Sequence, residues 1–342
     1  MSYTVKSSEK LRKIGSDFET KAMLYLLNFR DDSSEMQYFI VDFFNDITGM
    51  DRMARKLWDV QSKATKSATA KTIGRELVTL FKNFISDLDF YTYIVFLGDV
   101  PATFRIKPDS NIFQIDNIQN KALKSVKSGL KAECQAKEYI PKDRIDEKSI
   151  DEFLSKVWFV VDDKSPADYI RAIIKNHPKI IPADSALIAI FNEIRNKQSE
   201  KKNSIVEGVV IENVDEVLNY GRHLSSGEIR LLVLQRIIHN DPLSKGVPAP
   251  FIEILSKTPE EMREPLIEDC KRSLCRALFN KSAAQGFWEM FETIYDLIMK
   301  YPNKSIDYIF RTISDDVKNG CPDFDVLSLK YFIAQIKDGI LQ

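Results

Sequence analysis

Three short stretches near the start of the chain carry side chains that could work together on a phosphate ester. Trp58-Asp59-Val60-Gln61-Ser62-Lys63 is a strand-like run that ends in an amide, one spacer and a lysine. Upstream, the apolar run Tyr38-Phe39-Ile40-Val41-Asp42-Phe43-Phe44-Asn45-Asp46-Ile47 delivers a carboxylate, Asp46. Before that, the first turn of a predicted helix holds Glu19. Phosphodiester hydrolysis needs a hydroxide at neutral pH, neutralisation of charge at phosphorus, and a proton for the leaving oxygen. Bound Mg²⁺ supplies the first two. It is a hard ion that takes oxygen ligands and keeps several waters, and Mn²⁺ is the alternative ion. In this reading Asp46 anchors the metal, Gln61 adds its side-chain carbonyl and Ser62 its backbone carbonyl. Glu19 reaches the ion through water or holds a second one. Lys63 orients the attacking water and stabilises charge developing on the phosphate. The candidate catalytic residues are thus Lys63, Asp46, Gln61 and Glu19. Gln61 stands where commoner sites of this kind have a second acid, so affinity for metal without DNA is expected to be low.

A Gln-x-Lys pattern alone arises often by chance; its strand context and the two upstream acids narrow it. Residues 16–29 read as a helix, with Ser16 as N-cap and Glu19 at N3 in a capping box. Glu19 therefore has a structural reading beside the catalytic one. The β-rich, aromatic run 36–47 predicts one strand and Lys56–Lys63 the next, paired as a hairpin through a loop near Asp51–Arg55. Ser67–Leu88 has the apolar spacing of an amphipathic helix. The unbroken apolar run Phe90–Leu97 predicts a strand buried on both faces. Lys66, Lys71 and Arg75 follow the motif closely, as either an exposed helix face or contacts to DNA phosphates. Lys121, Lys124, Lys127 and Lys131 line one side of a polar helix over 117–137, as a solvated face or a phosphate rail. Further helices are expected at 166–176 and 183–197, with a strand at 157–161. The charged run Lys197–Asn203 reads as an exposed, protease-sensitive break. From Val214 on the pattern is helical throughout, and Phe287 and Trp288 suit a helical core or an interface.

Bulk composition excludes several classes. The 342 residues suffice for two domains, with 44% hydrophobic and 29% charged residues. Lys+Arg number 49 against 50 Asp+Glu, so net charge gives no hint of a nucleic-acid partner, although a local basic surface remains compatible with it. Four scattered cysteines form no Cys-x-x-Cys pair, which argues against a zinc site or a disulfide framework. Met1–Lys13 lacks the apolar core of a signal peptide, and no run is long enough to span a membrane. A cytoplasmic location is expected. His223 and His239 read as surface or satisfied histidines; no triad-like signature or Walker-type loop occurs.

The N-terminal half also resembles a known family. Gly15-Ser16-Asp17-Phe18-Glu19, followed by Ala22 and Leu24–Leu27, looks like the opening helix of the Mrr-like, PD-(D/E)XK-type nuclease domain. That domain serves as the DNA-degrading effector in bacterial antiphage systems, including cyclic-oligonucleotide-activated nucleases and the nuclease subunits of Lamassu-type systems. Phe44-Asn45-Asp46-Ile47 is similar to its Asp-Asp-Ile/Val strand, and Asp59–Lys63 to its Gln-x-Lys strand. Thr72–Phe84 with Tyr93–Leu97, and Phe153–Val161 with Asp168–Ile170, resemble its later elements. The likeness covers about residues 12–200. It departs from the family where Asn45 replaces the first acid of the pair. It departs again in the eleven residues Met50–Val60 between the strand acid and Gln61. Asp42 and Asp51 therefore remain alternative metal ligands.

The resemblance implies an α/β fold, a restriction-endonuclease-like mixed sheet flanked by helices. It places the nuclease domain over 1–205, followed by an all-helical domain over 206–342 for partner binding or oligomerisation. It implies cleavage of double-stranded DNA, activation by oligomerisation or partner release, and other subunits of a defence complex as partners. No second-messenger sensor domain is recognisable after it. A non-catalytic DNA- or protein-binding subunit on a decayed nuclease fold is the alternative, and an RNase using the same site a third.

Overall fold

The computed structural model describes residues 3–5, 13–64, 68–174, 182–203, 206–239, 243, 246–280 and 282–341. They fall into two compact units, Met1–Tyr169 with Asn192–Ser226, and Ile170–Phe191 with Gly227–Gln342. This division differs from the expected cut at 205/206. Residues 206–226 belong to the first unit, and an excursion of the chain at 170–191 belongs to the second.

In the first unit β1 (Tyr3–Thr4) precedes α1 (Lys13–Asn28), β2 (Met36–Val41), β3 (Ile47–Asp51) and β4 (Leu57–Lys63). Then come α2 (Ala70–Glu76), α3 (Val78–Phe84), β5 (Thr92–Leu97), β6 (Ile112–Phe113), α4 (Asn120–Ala136), α5 (Glu147–Lys156) and β7 (Val157–Val161). After α6 (Pro166–Ile173) and α7 (Asp184–Glu200) the chain adds β8 (Val210–Ile211) and β9 (His223–Ser225). Seven strands form one mixed sheet in the order β6-β7-β5-β4-β3-β2-β9. β4, β5 and β7 are parallel; the β2-β3-β4 meander, β9 and β6 pair antiparallel. β1 and β8 make a separate two-stranded pair.

Burial explains the layering. Every residue of β5 is buried, as expected of a parallel strand covered on both faces. Side chains alternate along a strand. Phe96 thus meets Phe18 and Tyr25 of α1, at ring centroids of 4.9 and 5.6 Å. Tyr93 points the other way, to Phe84 of α3 at 5.9 Å and Phe153 of α5 at 5.7 Å. α2 lies unusually close to α4. A Cβ on Gly74 would stand 2.1 Å from the Val126 carbonyl oxygen, and one on Gly129 would stand 2.1 Å from that of Lys71. Two glycines let the helix backbones touch.

Several expectations are corrected. The strand predicted over 36–47 ends at Val41, and the next begins only at Ile47, because a tight turn at 42–46 reverses the chain: the Asp42 N–H donates to the Asp46 carbonyl at 3.0 Å. Asp42 adopts φ +50°, a left-handed conformation that aspartate tolerates better than most residues. The hairpin expected between 36–47 and 56–63 is therefore a three-stranded meander. α1 starts at Lys13, so Glu19 lies in its second turn and not at the N3 position of a capping box. The single helix predicted over 67–88 is two, α2 and α3, meeting at Leu77. The region after Val214 is not wholly helical: His223–Ser225 pair with β2, with Leu224 opposite Phe39. That strand covers an edge that would otherwise expose an unpaired ladder.

The second unit is helical. Its elements are the end of α6 and the first part of α7, within 170–191, then α8 (Ser226–Ile238), α9 (Ile252–Ser256), α10 (Glu260–Phe279), α11 (Ala284–Lys300), α12 (Ile306–Thr312), α13 (Asp315–Asn319) and α14 (Val326–Leu341). Phe287 and Trp288 are core residues, each 1% exposed, and Phe287 stacks on Phe332 at 5.4 Å. Among the described residues, no helix is long and apolar enough to cross a membrane.

Candidate functional site at the head of β3

β3 begins at Ile47, opposite Val60 of β4. Ser62 lies two residues further along β4, past the point where β3 starts. Its backbone N–H has no strand partner there, and the Asp46 side chain takes that place. Asp46 Oδ2 accepts from Ser62 N, from Ser62 Oγ and from Gln61 Nε2, each at 2.8 Å. A carboxylate thus sits where the backbone ladder ends, tied to both predicted neighbours. Asn45 folds back so that its Oδ1 accepts the Asp46 N–H at 3.0 Å. Burial pushes the Asp46 carboxyl up to about 7, with the nearby charge of Glu19 as the next cause; Ser62 and Lys202 oppose the shift.

Glu19 approaches from α1. Its Oε2 receives the Lys202 ammonium at 2.7 Å and lies 3.4 Å from Gln198 Nε2. Gln198 is fully buried and also takes the Thr20 hydroxyl at 2.6 Å. Glu19 is therefore committed to a buried polar cluster and not to a capping box. The stretch 197–203, expected as an exposed break, instead carries α7 to Glu200 and sends Gln198 and Lys202 inward.

Gln61, Lys63 and Asp59 share one face of β4 by strand alternation. Lys63 is paired with Glu76 of α2 at 3.0 Å. Asp59, which the motif spans, is fully buried. It accepts from Asn83 Nδ2 at 2.7 Å and is pushed by burial up to about 7. Asn83 in turn takes the Tyr3 hydroxyl at 3.0 Å, and Lys82 donates to that same hydroxyl at 2.7 Å. The N-terminal strand is thereby pinned beside the site.

Beside Asp46 opens a cleft of about 320 Å³, whose walls include Asp46, Gln61, Arg75, Glu76, Lys82 and Tyr139. Arg75 is exposed on its rim, whereas Lys71 is exposed on α2 but is not among the lining residues. Lys66 lies outside the described residues. Of the lysine row on α4, Lys127 pairs with Asp151 at 2.6 Å, while Lys121, Lys124 and Lys131 are exposed.

No protein-family model, curated protein or solved structure matches this chain.

The two alternative acids occupy different surroundings. Asp51, at the far end of β3, closes its own loop by accepting the N–H groups of Arg55 at 2.6 Å and Lys56 at 2.9 Å. Asp42 lines the cleft but is held by Arg222, whose Nη1 donates to its carbonyl at 2.6 Å and to Oδ2 at 3.3 Å. Burial raises the Asp42 carboxyl, while Lys202 and Arg222 pull it down. Sequence reasoning missed Gln198, Lys202 and Arg222 because nothing local marks them; each acts across roughly half the chain. Among the described residues no three acid, histidine or cysteine side chains gather as a metal-ligand group. Any cation here would rest on two carboxylates, Asp46 and Glu19, plus amide and backbone oxygens.

Proposed function

We propose that this chain is a Mg²⁺-dependent endonuclease that hydrolyses phosphodiester bonds of double-stranded DNA. It would act as the effector subunit of a bacterial antiphage defence complex, activated by oligomerisation or by partner release. One observation carries the reading: Asp46, placed by the start of β3, meets Gln61 and Ser62 of the adjoining strand, with Lys63 next along and Glu19 close by on α1. An acid on a helix, an acid at a strand end and Gln-x-Lys on the neighbouring strand is the arrangement of the restriction-endonuclease-like fold, which is the finer description proposed for the first unit. The defence role and the partner subunits rest on the family resemblance of the N-terminal half.

The donor set suits a hard divalent cation, because carboxylate, amide and carbonyl oxygens are what Mg²⁺ takes. The site already accommodates positive charge, as the Lys202 ammonium on Glu19 shows. Asp46, Glu19, the Gln61 amide oxygen and the Ser62 carbonyl would hold the ion; Gln61 donates to Asp46 here, and a half-turn of its amide presents the oxygen instead. Bound there, the metal lowers the pKa of a water and neutralises charge at the phosphate. Lys63 supplies a second positive charge for the phosphoryl oxygens; its pairing with Glu76 must open for it to reach them. Arg75 and Lys82 on the cleft wall provide charge for flanking phosphates.

A second reading is a non-catalytic DNA- or protein-binding subunit. It is favoured by the three donors already satisfying Asp46 Oδ2 and by the Lys63–Glu76 pair. Plasmid cleavage over a protein concentration series, with Mg²⁺ or EDTA, separates the two. Cutting that needs metal and disappears in Asp46→Asn and Lys63→Ala supports the nuclease. DNA retention without cutting, in the presence of its genomic-neighbour proteins, sinks it.

A further inference from the structure

Lys202 is a cation of this site that the hydrolytic scheme does not use. Its side chain is 9% exposed and that of its partner Glu19 14% exposed, at 2.7 Å. A buried ammonium is costly unless it is paired, so its position is built rather than incidental. Two contacts fix it. The Lys202 carbonyl accepts from Arg222 Nη2 at 3.1 Å, and Arg222, itself 2% exposed, also holds Asp42. Gln198, one turn earlier, grips the same Glu19 oxygen. The charge of Lys202 acts on Asp46 and on Asp42 as well as on Glu19. Glu19 is thus paired with Lys202 and Asp42 with Arg222, and the two cations are tied together through the Lys202 carbonyl.

We propose that Lys202 is a resident counter-ion that competes with the divalent cation for Glu19 and Asp46, so that metal loads only as the ammonium withdraws. The inference rests on the metal-dependent reading of the site. Its physical basis is that one pair of carboxylates cannot fully serve two cations. A lysine ammonium is a compact, strongly hydrated point charge on a flexible stem. It can therefore neutralise the acids and still leave, which a second fixed arginine could not do as readily. The consequence is a site that binds metal weakly until something draws Lys202 away.

The test measures binding, not cleavage. Mn²⁺ alone is titrated calorimetrically at fixed pH into the full-length wild type, Lys202→Met, Lys202→Arg and Lys202→Met/Asp46→Asn, each checked for folding by circular dichroism. The expected result is at least tenfold tighter Mn²⁺ binding by Lys202→Met, weaker than wild-type binding in Lys202→Arg, and no binding in the double variant. Equal affinity in wild type and Lys202→Met, abolished by Asp46→Asn, overturns the competition and leaves the metal site standing. No Mn²⁺ binding by either folded protein overturns both. A second measurement needs no variant: acylation of Lys202 in the wild type by an N-hydroxysuccinimide ester, read by peptide mass spectrometry. Several-fold faster labelling with Mn²⁺ supports the withdrawal of Lys202, and unchanged labelling at saturating Mn²⁺ overturns it.

Discussion

Asp59→Asn is expected to make the protein progressively more stable than wild type as pH rises from about 4 to about 7. Asp59 has no exposed surface and is pushed by burial up to about 7, against about 3.9 for an aspartate in an unfolded chain. Below pH 4 it is protonated in both states and contributes no pH dependence. Between the two values the unfolded chain has released its proton and the folded chain has not, so the native state binds more protons. Stability therefore falls as pH rises through this window and levels off above it. At 1.36 kcal/mol per unit, roughly three units make the ceiling about 4 kcal/mol at pH 8. Asparagine removes the titration while its carbonyl can still accept from Asn83. The extra buried N–H costs about 1–3 kcal/mol if it finds no acceptor, but that cost does not vary with pH. The informative quantity is thus the slope of the wild-type-to-variant difference. Urea unfolding at half-unit steps from pH 4 to 9 measures it. Asp46 is present in both proteins, so its own titration cancels. A difference that stays flat across the range, or a wild type that gains on the variant as pH rises, would refute the reasoning.

Three further outcomes follow from other contacts. Lys63→Ala is expected to lower Mg²⁺-dependent plasmid cleavage by about 100-fold or more, the scale seen when one group stabilising transition-state charge is lost, with circular dichroism unchanged. Gly74→Ala forces a methyl against the Val126 carbonyl. It should cost about 1–3 kcal/mol, read as a lower melting temperature, and the matching Gly129→Ala should behave alike. Arg222→Ala leaves the half-buried Asp42 carboxylate and two carbonyls without the donor that the buried guanidinium supplies. A loss of about 3–5 kcal/mol is expected for a broken buried pair, and a denaturation midpoint equal to wild type would show that the turn at 42–46 does not depend on it.

Sequence alone determined what local periodicity encodes. The unbroken apolar run at 90–97 is the parallel strand β5, since burial on both faces leaves no place for alternation. The amphipathic spacing after Ser67 is helix, although Leu77 divides it in two. Sequence also singled out Asp46, Gln61, Ser62 and Lys63, and the first three are in direct contact. It misplaced Asp46 at the end of a long strand, because a left-handed aspartate makes a turn that no glycine or proline announces.

Tertiary structure decided the rest. Whether Glu19 caps a helix or faces the site depends on where α1 begins and on Lys202, which lies far along the chain. That Gln198 and Lys202 turn inward is invisible in the composition of 197–203, since a charged run looks solvated until its partners are known. The partners, Glu19 and Thr20, come from the opening helix of the fold. Hydrophobic pattern repeats within a few residues and so survives in the sequence. A buried charge pair joining distant segments leaves no such repeat, and only folding brings its two halves together.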